Sequence, residues 1–442
     1  MKAGLEMSSV ARTVSRASCR SRPSFARLNT IRRVCSSSTP PVPAQRGFTE
    51  PKHCSTLAGR SLSTKSTLRS NGTPSFAFAF DIDGVLLHSS DPIPGAAETL
   101  RFLSEHSIPF LLLTNGGGRL EKDRVADLSS KLGLPLTTSN FVQSHTPFTE
   151  LVASLRDKTI LVTGQDSNKC RTIAEAYGFR KVITPSDILA AEPRVWPFKV
   201  LEDVYASSSR PLPDTALDDS RPASARDSLV KVDAMFVFND PRDWAVDIQI
   251  ITDLLLSEKG YLGTYSSKNG DESLDNCGWQ GDGQPSLYFS NGDLFWSTGY
   301  HLPRFGQGAF QAAVAGVWRR VTGGHELQRT VFGKPSRETY AFAERVLQKH
   351  RHELLKATGS HGAGRLERVY MVGDNPESDI AGANTYQSEH GTDWESILVK
   401  TGVWTADRGG ELKGVFKPHV IVSDVKEAVR TALEREGWKG ML

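Results

Sequence analysis

Short apolar runs recur along this chain, and several stop on a polar residue: SFAFAF on Asp81, IPFLLL on Thr114, DAMFVF on Asn239, SLYFS on Asn291 and RVYMVG on Asp374. Runs of this length without internal polar residues read as strands buried on both faces. TILVTG (159–164), SILVKTG (396–402) and HVIVSDV (419–425) extend the series. Between them lie stretches with helical spacing, such as PGAAETLRFLSEH, where Ala97, Leu100 and Leu103 share a face, and a helix expected from about Glu121 to Leu132. Strands alternating with helices predict an α/β chain with doubly wound parallel sheets, helices covering both faces. In such sheets the ligand crevice lies at the carboxyl ends of the strands. The polar stops therefore mark where chemistry is expected.

The first stop is unusual. In AFDIDGVLLHSS (79–90) two acids flank one residue, so on an extended chain they point the same way, about 7 Å apart. Two carboxylates on one face repel unless a cation sits nearby.

Charge divides the chain. Residues 1–80 hold 13 of the 53 basic residues and two of the 50 acids, leaving 40 basic against 48 acidic residues in the remainder. The basic excess thus belongs to the leader, and nothing in the remainder suggests a nucleic-acid partner. Residues 1–73 begin Arg- and Ser-rich and continue Pro-, Ser- and Thr-rich, without a continuous apolar core. This composition fits a mitochondrial presequence followed by disordered chain, and an expected location in the matrix. No run approaches the roughly 18 apolar residues of a membrane span. Of five cysteines, Cys19, Cys35 and Cys54 lie in the leader, and Cys170 and Cys277 stand far apart, so neither a zinc site nor a disulfide framework is indicated.

DIDGV at 81–85 resembles the first motif of the haloacid dehalogenase superfamily of phosphohydrolases. LLLTN (111–115), VFGKPSRETY (331–340) and MVGDNPESDIAGA (371–383) resemble its second, third and fourth motifs, in the same order. About two hundred residues separate the second from the third, which is similar to the class II arrangement, with a cap inserted there. YFSNGDLFW and LPRFGQGAFQAAV (288–314) are similar to the hinge of class IIA members. Together with the Arg-rich leader, they resemble the mitochondrial group that includes cat eye syndrome critical region protein five.

The resemblance implies a Rossmann-like core in two parts, 74–145 and 299–442, around an α/β cap at 146–298. Two polar segments, 193–230 and 266–285, are expected to be loop insertions in the cap. It implies a Mg²⁺-dependent phosphatase acting on a small phosphorylated metabolite. Asp81 would be the nucleophile that forms an aspartyl-phosphate, and Asp83 the general acid and base. Thr114 would bind a phosphoryl oxygen, and Lys334 would stabilise transition-state charge. Mg²⁺ would be held by the Asp81 carboxylate, the Asp83 backbone carbonyl and the Asp374 carboxylate, with Asp379 supporting from behind. Asn115 and Gly116 are expected to contact substrate, and Asn291 and Asp293 to act as hinge or substrate contacts. His88 and His145 receive no role. A homodimer is compatible with this reading.

Other readings stay open. A phosphotransferase or mutase usually carries its cap elsewhere, and a dehalogenase normally lacks the second acid, here Asp83. A catalytically weak mitochondrial binding or scaffold protein on the same fold is the alternative of a different kind.

Overall fold

The computed structural model describes residues 73–442, apart from 199–201, 214–220, 229, 297–299, 360–363, 405–409 and 441. The leader's residues 1–72 lie outside this range.

The apolar runs do form parallel sheets. Six strands make the first, in the order Val420–Val422, Asp393–Val399, Arg368–Gly373, Phe76–Phe80, Phe110–Leu113 and Phe141–Val142, and every pairing is parallel. The alternation in FAFAF explains how its centre is built. Side chains on a strand point alternately to opposite faces. Phe76, Phe78 and Phe80 enter one apolar cluster with Leu100, Leu103, Val125 and Leu128 from helices Ala96–Glu105 and Glu121–Leu132. Ala77 and Ala79 face the other side, where their small volume lets Tyr340, Ala343 and Leu347 of helix Arg337–Ala357 pack close. Phe80 pairs with Val372 on one side and Leu112 on the other, so the chain leaves three adjacent strands at Asp81, Asp374 and Thr114. Successive connections run to opposite sides of Phe76–Phe80, which makes its carboxyl end the switch point of the sheet.

A second parallel sheet is inserted between Thr114 and Lys334, ordered Thr330–Val331, Ser286–Phe289, Ala234–Val237, Thr159–Thr163 and Lys181–Ile183. It continues past the boundary expected at residue 298: helix Gln307–Val321 supplies Phe310, Val314 and Trp318 to its core, and Thr330–Val331 is its edge strand. Two residues are too short a run to register as a strand in sequence. The two expected loop insertions are also corrected in part. Segment 193–230 contains helix Glu202–Ser208, which buries Tyr205, and its hydroxyl donates to Asp243 Oδ2 at 2.9 Å. Segment 266–285 sends Trp279 into the same core, edge-on to Trp318 with centroids 6.0 Å apart. A lone aromatic residue in a polar stretch carries no periodicity, so its burial left no pattern. No helix among the described residues is long and apolar enough to cross a membrane.

Among its described residues, the inserted sheet buries one acid, Asp247, held by a hydroxyl rather than by an ion pair. Thr163 ends the strand Thr159–Thr163 and donates to Asp247 Oδ1 at 2.7 Å, both residues being buried. Burial pushes the Asp247 carboxyl up to about 7, with the Thr163 hydrogen bond pulling the other way. A folded value above the unfolded one means folding takes up a proton, so this contribution is present at low pH and is lost as pH rises through about 7. Asp247→Asn keeps an acceptor for Thr163 and removes the charge. It is expected to stabilise the protein by about 1–2 kcal/mol at about pH 8, and by less at about pH 5. Thermal unfolding at the two pH values checks this.

Candidate active site

At the switch point, backbone and side chains gather four charged groups. The Asp81 N–H donates to Val372 O at 2.9 Å, continuing the ladder one residue past the strand and fixing the carboxylate at the sheet edge. Lys334 Nζ contacts Asp81 Oδ1 and lies 2.7 Å from Asp379 Oδ1, and all three side chains are buried. Asp374 is also buried and accepts the Val403 N–H on Oδ2 at 2.7 Å. Of the two acids of the DID stretch, Asp81 is met by a lysine, while Asp83 is exposed.

Asp379 explains how the fourth motif is shaped. Its Oδ2 accepts the N–H groups of Asp374 at 3.2 Å and Asn375 at 3.1 Å, while Oδ1 takes Lys334. Its carboxylate thus folds its own turn around the lysine. Tyr340 backs that turn, donating to Asp379 O at 2.9 Å. Glycines are forced here by the crowding. Gly84, with φ +94°, and Gly402 lie close together against Asp374; a Cβ on either would overlap its carboxylate.

The electrostatics follow from burial. Asp81 is held well above the usual carboxylate range by desolvation, with Lys334 opposing and Asp379, Asp374 and Asp83 adding to the rise. Burial, aided by Asp379, pushes Asp374 up to about 7. Desolvation opposes charge on Lys334, but Asp379 and Asp81 more than offset it and raise the ammonium above its ordinary value. Asp81, Asp374 and Asp379 offer oxygens within 4.8 Å of one another, the one such metal-ligand grouping among the described residues. A hard divalent cation fits this donor set: oxygen ligands only, with more negative charge than Lys334 balances.

Asp83 stands apart from this cluster. It is exposed, and its Oδ2 lies 3.9 Å from where a Cβ of Gly116 would stand, across the loop that follows Thr114. Thr114 is buried and its Oγ1 accepts the Gly116 N–H at 3.0 Å, which leaves the hydroxyl proton to donate elsewhere.

The expected substrate contacts divide differently. Asn115 spends its amide on other loops: Nδ2 donates to Asp293 Oδ2 and Lys334 O, both at 3.0 Å, and Oδ1 accepts the Lys334 N–H at 2.7 Å. Asn291 is buried, donating to Asn115 O at 3.3 Å and accepting the Asp293 N–H at 3.0 Å. Both side chains are therefore clamps that tie the Thr114 loop to the Lys334 loop and the 291–293 segment. Asp293 remains half-buried beside them, its carboxyl pushed up to about 6 by burial against the pull of Asn115 and Lys334. Gly116 lies beside Thr114 and Asp83.

Sequence reasoning passed over Tyr340, Gly402 and the Val403 amide. The signal present was the TG closing the run SILVKTG, another strand end at the same sheet edge. Asn239, one of the polar strand stops, also borders this region. Asn239 ends the central run of the inserted sheet, and a Cβ on Gly118 would overlap its Nδ2.

Comparison with known proteins agrees with this geometry. A family described as haloacid dehalogenase-like hydrolase matches residues 78–180, and one described as HAD-hydrolase-like matches residues 331–428. The mitochondrial hydrolase YKR070W of Saccharomyces cerevisiae is 40% identical over 374 residues, covering 81% of this chain and 96% of that protein. A cardiolipin synthase (CMP-forming)/mitochondrial hydrolase fusion protein of Schizosaccharomyces pombe is 37% identical over 382 residues, 85% of this chain but 57% of the fusion. Ribonucleotide monophosphatase NagD of Escherichia coli K12 is 30% identical over 117 residues, 26% of this chain and 45% of that protein. The chain belongs to the haloacid dehalogenase-like hydrolase family. Its second sheet, inserted between the Thr114 and Lys334 loops, is a class II cap by position.

Proposed function

We propose that this chain is a Mg²⁺-dependent phosphatase that hydrolyses a small phosphate ester through an aspartyl-phosphate on Asp81. The observation that carries the reading is the convergence of Asp81, Asp374 and Asp379, with Lys334 pairing Asp81 and Asp379 and a further acid, Asp83, left exposed beside the Thr114 loop.

Asp81, Asp374 and the Asp83 backbone carbonyl would hold the Mg²⁺, which would supply charge neutralisation where two anions must meet. Asp81 attacks phosphorus through a carboxylate oxygen, and the bond to the ester oxygen breaks. Asp83 gives its proton to that departing oxygen, so an alcohol leaves rather than an alkoxide. In the second half, Asp83 takes a proton from water as the water oxygen attacks the aspartyl-phosphate. Asp81 is released as carboxylate, inorganic phosphate departs, and Asp83 is again protonated. Throughout, Lys334 balances charge on Asp81 and the transferring group, and Thr114 donates its hydroxyl proton to a phosphoryl oxygen. The cap confines the site to small esters and excludes bulk water.

A mitochondrial matrix location rests on the leader's composition and on the names of the two yeast relatives. Those relatives and NagD also suggest which esters to try: nucleoside monophosphates and phosphate esters from phospholipid metabolism. The full-length protein is expected to hydrolyse p-nitrophenyl phosphate with Mg²⁺ present. EDTA should lower the rate at least about a hundredfold, and added Mg²⁺ should restore it. No turnover of this ester or of any screened ester with Mg²⁺ would sink the phosphatase reading and favour a binding role.

A further inference from the structure

His145 lies outside the motifs that suggested phosphatase chemistry, yet its imidazole is wholly buried and both ring nitrogens are engaged. Its Nε2 accepts the Gly118 N–H at 3.1 Å, and Nδ1 lies 2.7 Å from the Tyr177 hydroxyl. The Tyr177 hydroxyl in turn contacts Glu121 Oε1, which also accepts from Thr146 Oγ1 at 2.8 Å. The direction of this chain is forced. A backbone N–H can only donate, so Nε2 carries the lone pair and Nδ1 the proton. Nδ1–H then donates to Tyr177, whose own proton goes to the Glu121 carboxylate. Burial, against the opposing pull of Glu121, lowers the imidazole to about 4 and keeps it neutral near pH 7.

The chain also joins the two halves of the fold. Glu121 opens a helix of the first sheet, while Tyr177 closes helix Ser167–Tyr177 of the inserted sheet. Gly118 belongs to the loop after Thr114. That loop rests on 144–145: Ser144 N donates to Gly116 O at 3.2 Å, and a Cβ on Gly117 would stand 2.6 Å from Ser144 Oγ and 2.9 Å from His145 Cδ2.

We propose that His145 is a positioning residue that holds the 115–118 loop ready to receive phosphate, and that Tyr177 and Glu121 make this hold depend on the cap being docked. Docking brings the Tyr177 hydroxyl to Nδ1, fixes the tautomer, and so presents Nε2 to Gly118. This inference rests on the phosphatase reading for its consequence, but not for its geometry.

The test uses full-length wild type, His145→Leu, His145→Gln, Tyr177→Phe and the His145→Leu/Tyr177→Phe double variant. Wild type should show a ¹⁵N imidazole spectrum with the proton on Nδ1, and slow hydrogen exchange at Gly118 that becomes fast in Tyr177→Phe. A proton on Nε2, or Gly118 exchange unaltered in Tyr177→Phe, would overturn the proposal whether or not the protein turns over. With p-nitrophenyl phosphate, kcat should fall about tenfold to a hundredfold in His145→Leu with KM changed far less. His145→Gln, which can still accept from Gly118, should recover part of the loss, and the double variant should be no slower than His145→Leu. A lower thermal midpoint with kcat intact, or multiplicative losses in the double variant, would reduce His145 to a packing residue and refute the role. Absence of turnover in wild type would sink the phosphatase reading and leave the spectrum and the exchange to decide this one.

Discussion

Asp81→Asn is expected to cut turnover of p-nitrophenyl phosphate by at least about a thousandfold while leaving the protein as stable as wild type or more so. Asparagine has the same shape, and its Oδ1 can still accept from Lys334. What it lacks is a nucleophilic carboxylate, so the covalent step has no donor oxygen. Stability should not fall with activity. Asp81 is buried among Asp374 and Asp379, and its own charge is opposed by burial and by those neighbours. A neutral amide removes that cost. Steady-state kinetics and thermal unfolding on the same preparation check both halves. A variant that retained turnover would remove Asp81 from the mechanism, and one that unfolded would leave the lost activity uninformative.

The second large effect belongs to Lys334. Its Nζ meets Asp81 and Asp379 together, with all three groups buried. Lys334→Met keeps the length of the side chain and deletes the charge. Removing one partner of a buried ion pair typically costs about 3–5 kcal/mol, because the remaining charges have lost their counterion. In this cluster Mg²⁺ should recover part of the loss by binding the same carboxylates. Activity is expected to fall about a thousandfold even where the protein stays folded, since transition-state charge loses its stabiliser. Denaturant unfolding with and without Mg²⁺ measures the first effect, and kinetics in excess Mg²⁺ the second. An unchanged midpoint in metal-free buffer would contradict the ion-pair account.

The contrast between these residues and His145 shows what a sequence exposes. Asp81, Thr114 and Asp374 end apolar runs, and the register Phe80 to Val372 and Leu112 makes all three converge as soon as the strands pair. Periodicity therefore carries the site, because strand ends in a parallel sheet share an edge. That Ala77 and Ala79 let a helix approach one face closely is, by contrast, visible only once the sheet and helix are placed. Other features have no one-dimensional trace. His145 contacts Gly118, Tyr177 lies in the cap, and Glu121 opens another helix, so their chain exists only after the sheets are placed. Asn115 sits in a motif, but its partners at 293 and 334, which arrive from distant sequence, leave no trace there. Thr330–Val331 and Trp279 join the inserted sheet's structure through long-range contacts alone.

The most direct test of the account is chemical capture of the intermediate. Full-length protein turning over a good substrate with Mg²⁺ is quenched in acid and treated with borohydride, which reduces an acyl phosphate but not a free carboxylate. Peptide mass spectrometry should find homoserine at position 81 only when substrate was present. Steady release of phosphate with residue 81 recovered as unmodified aspartate would contradict it.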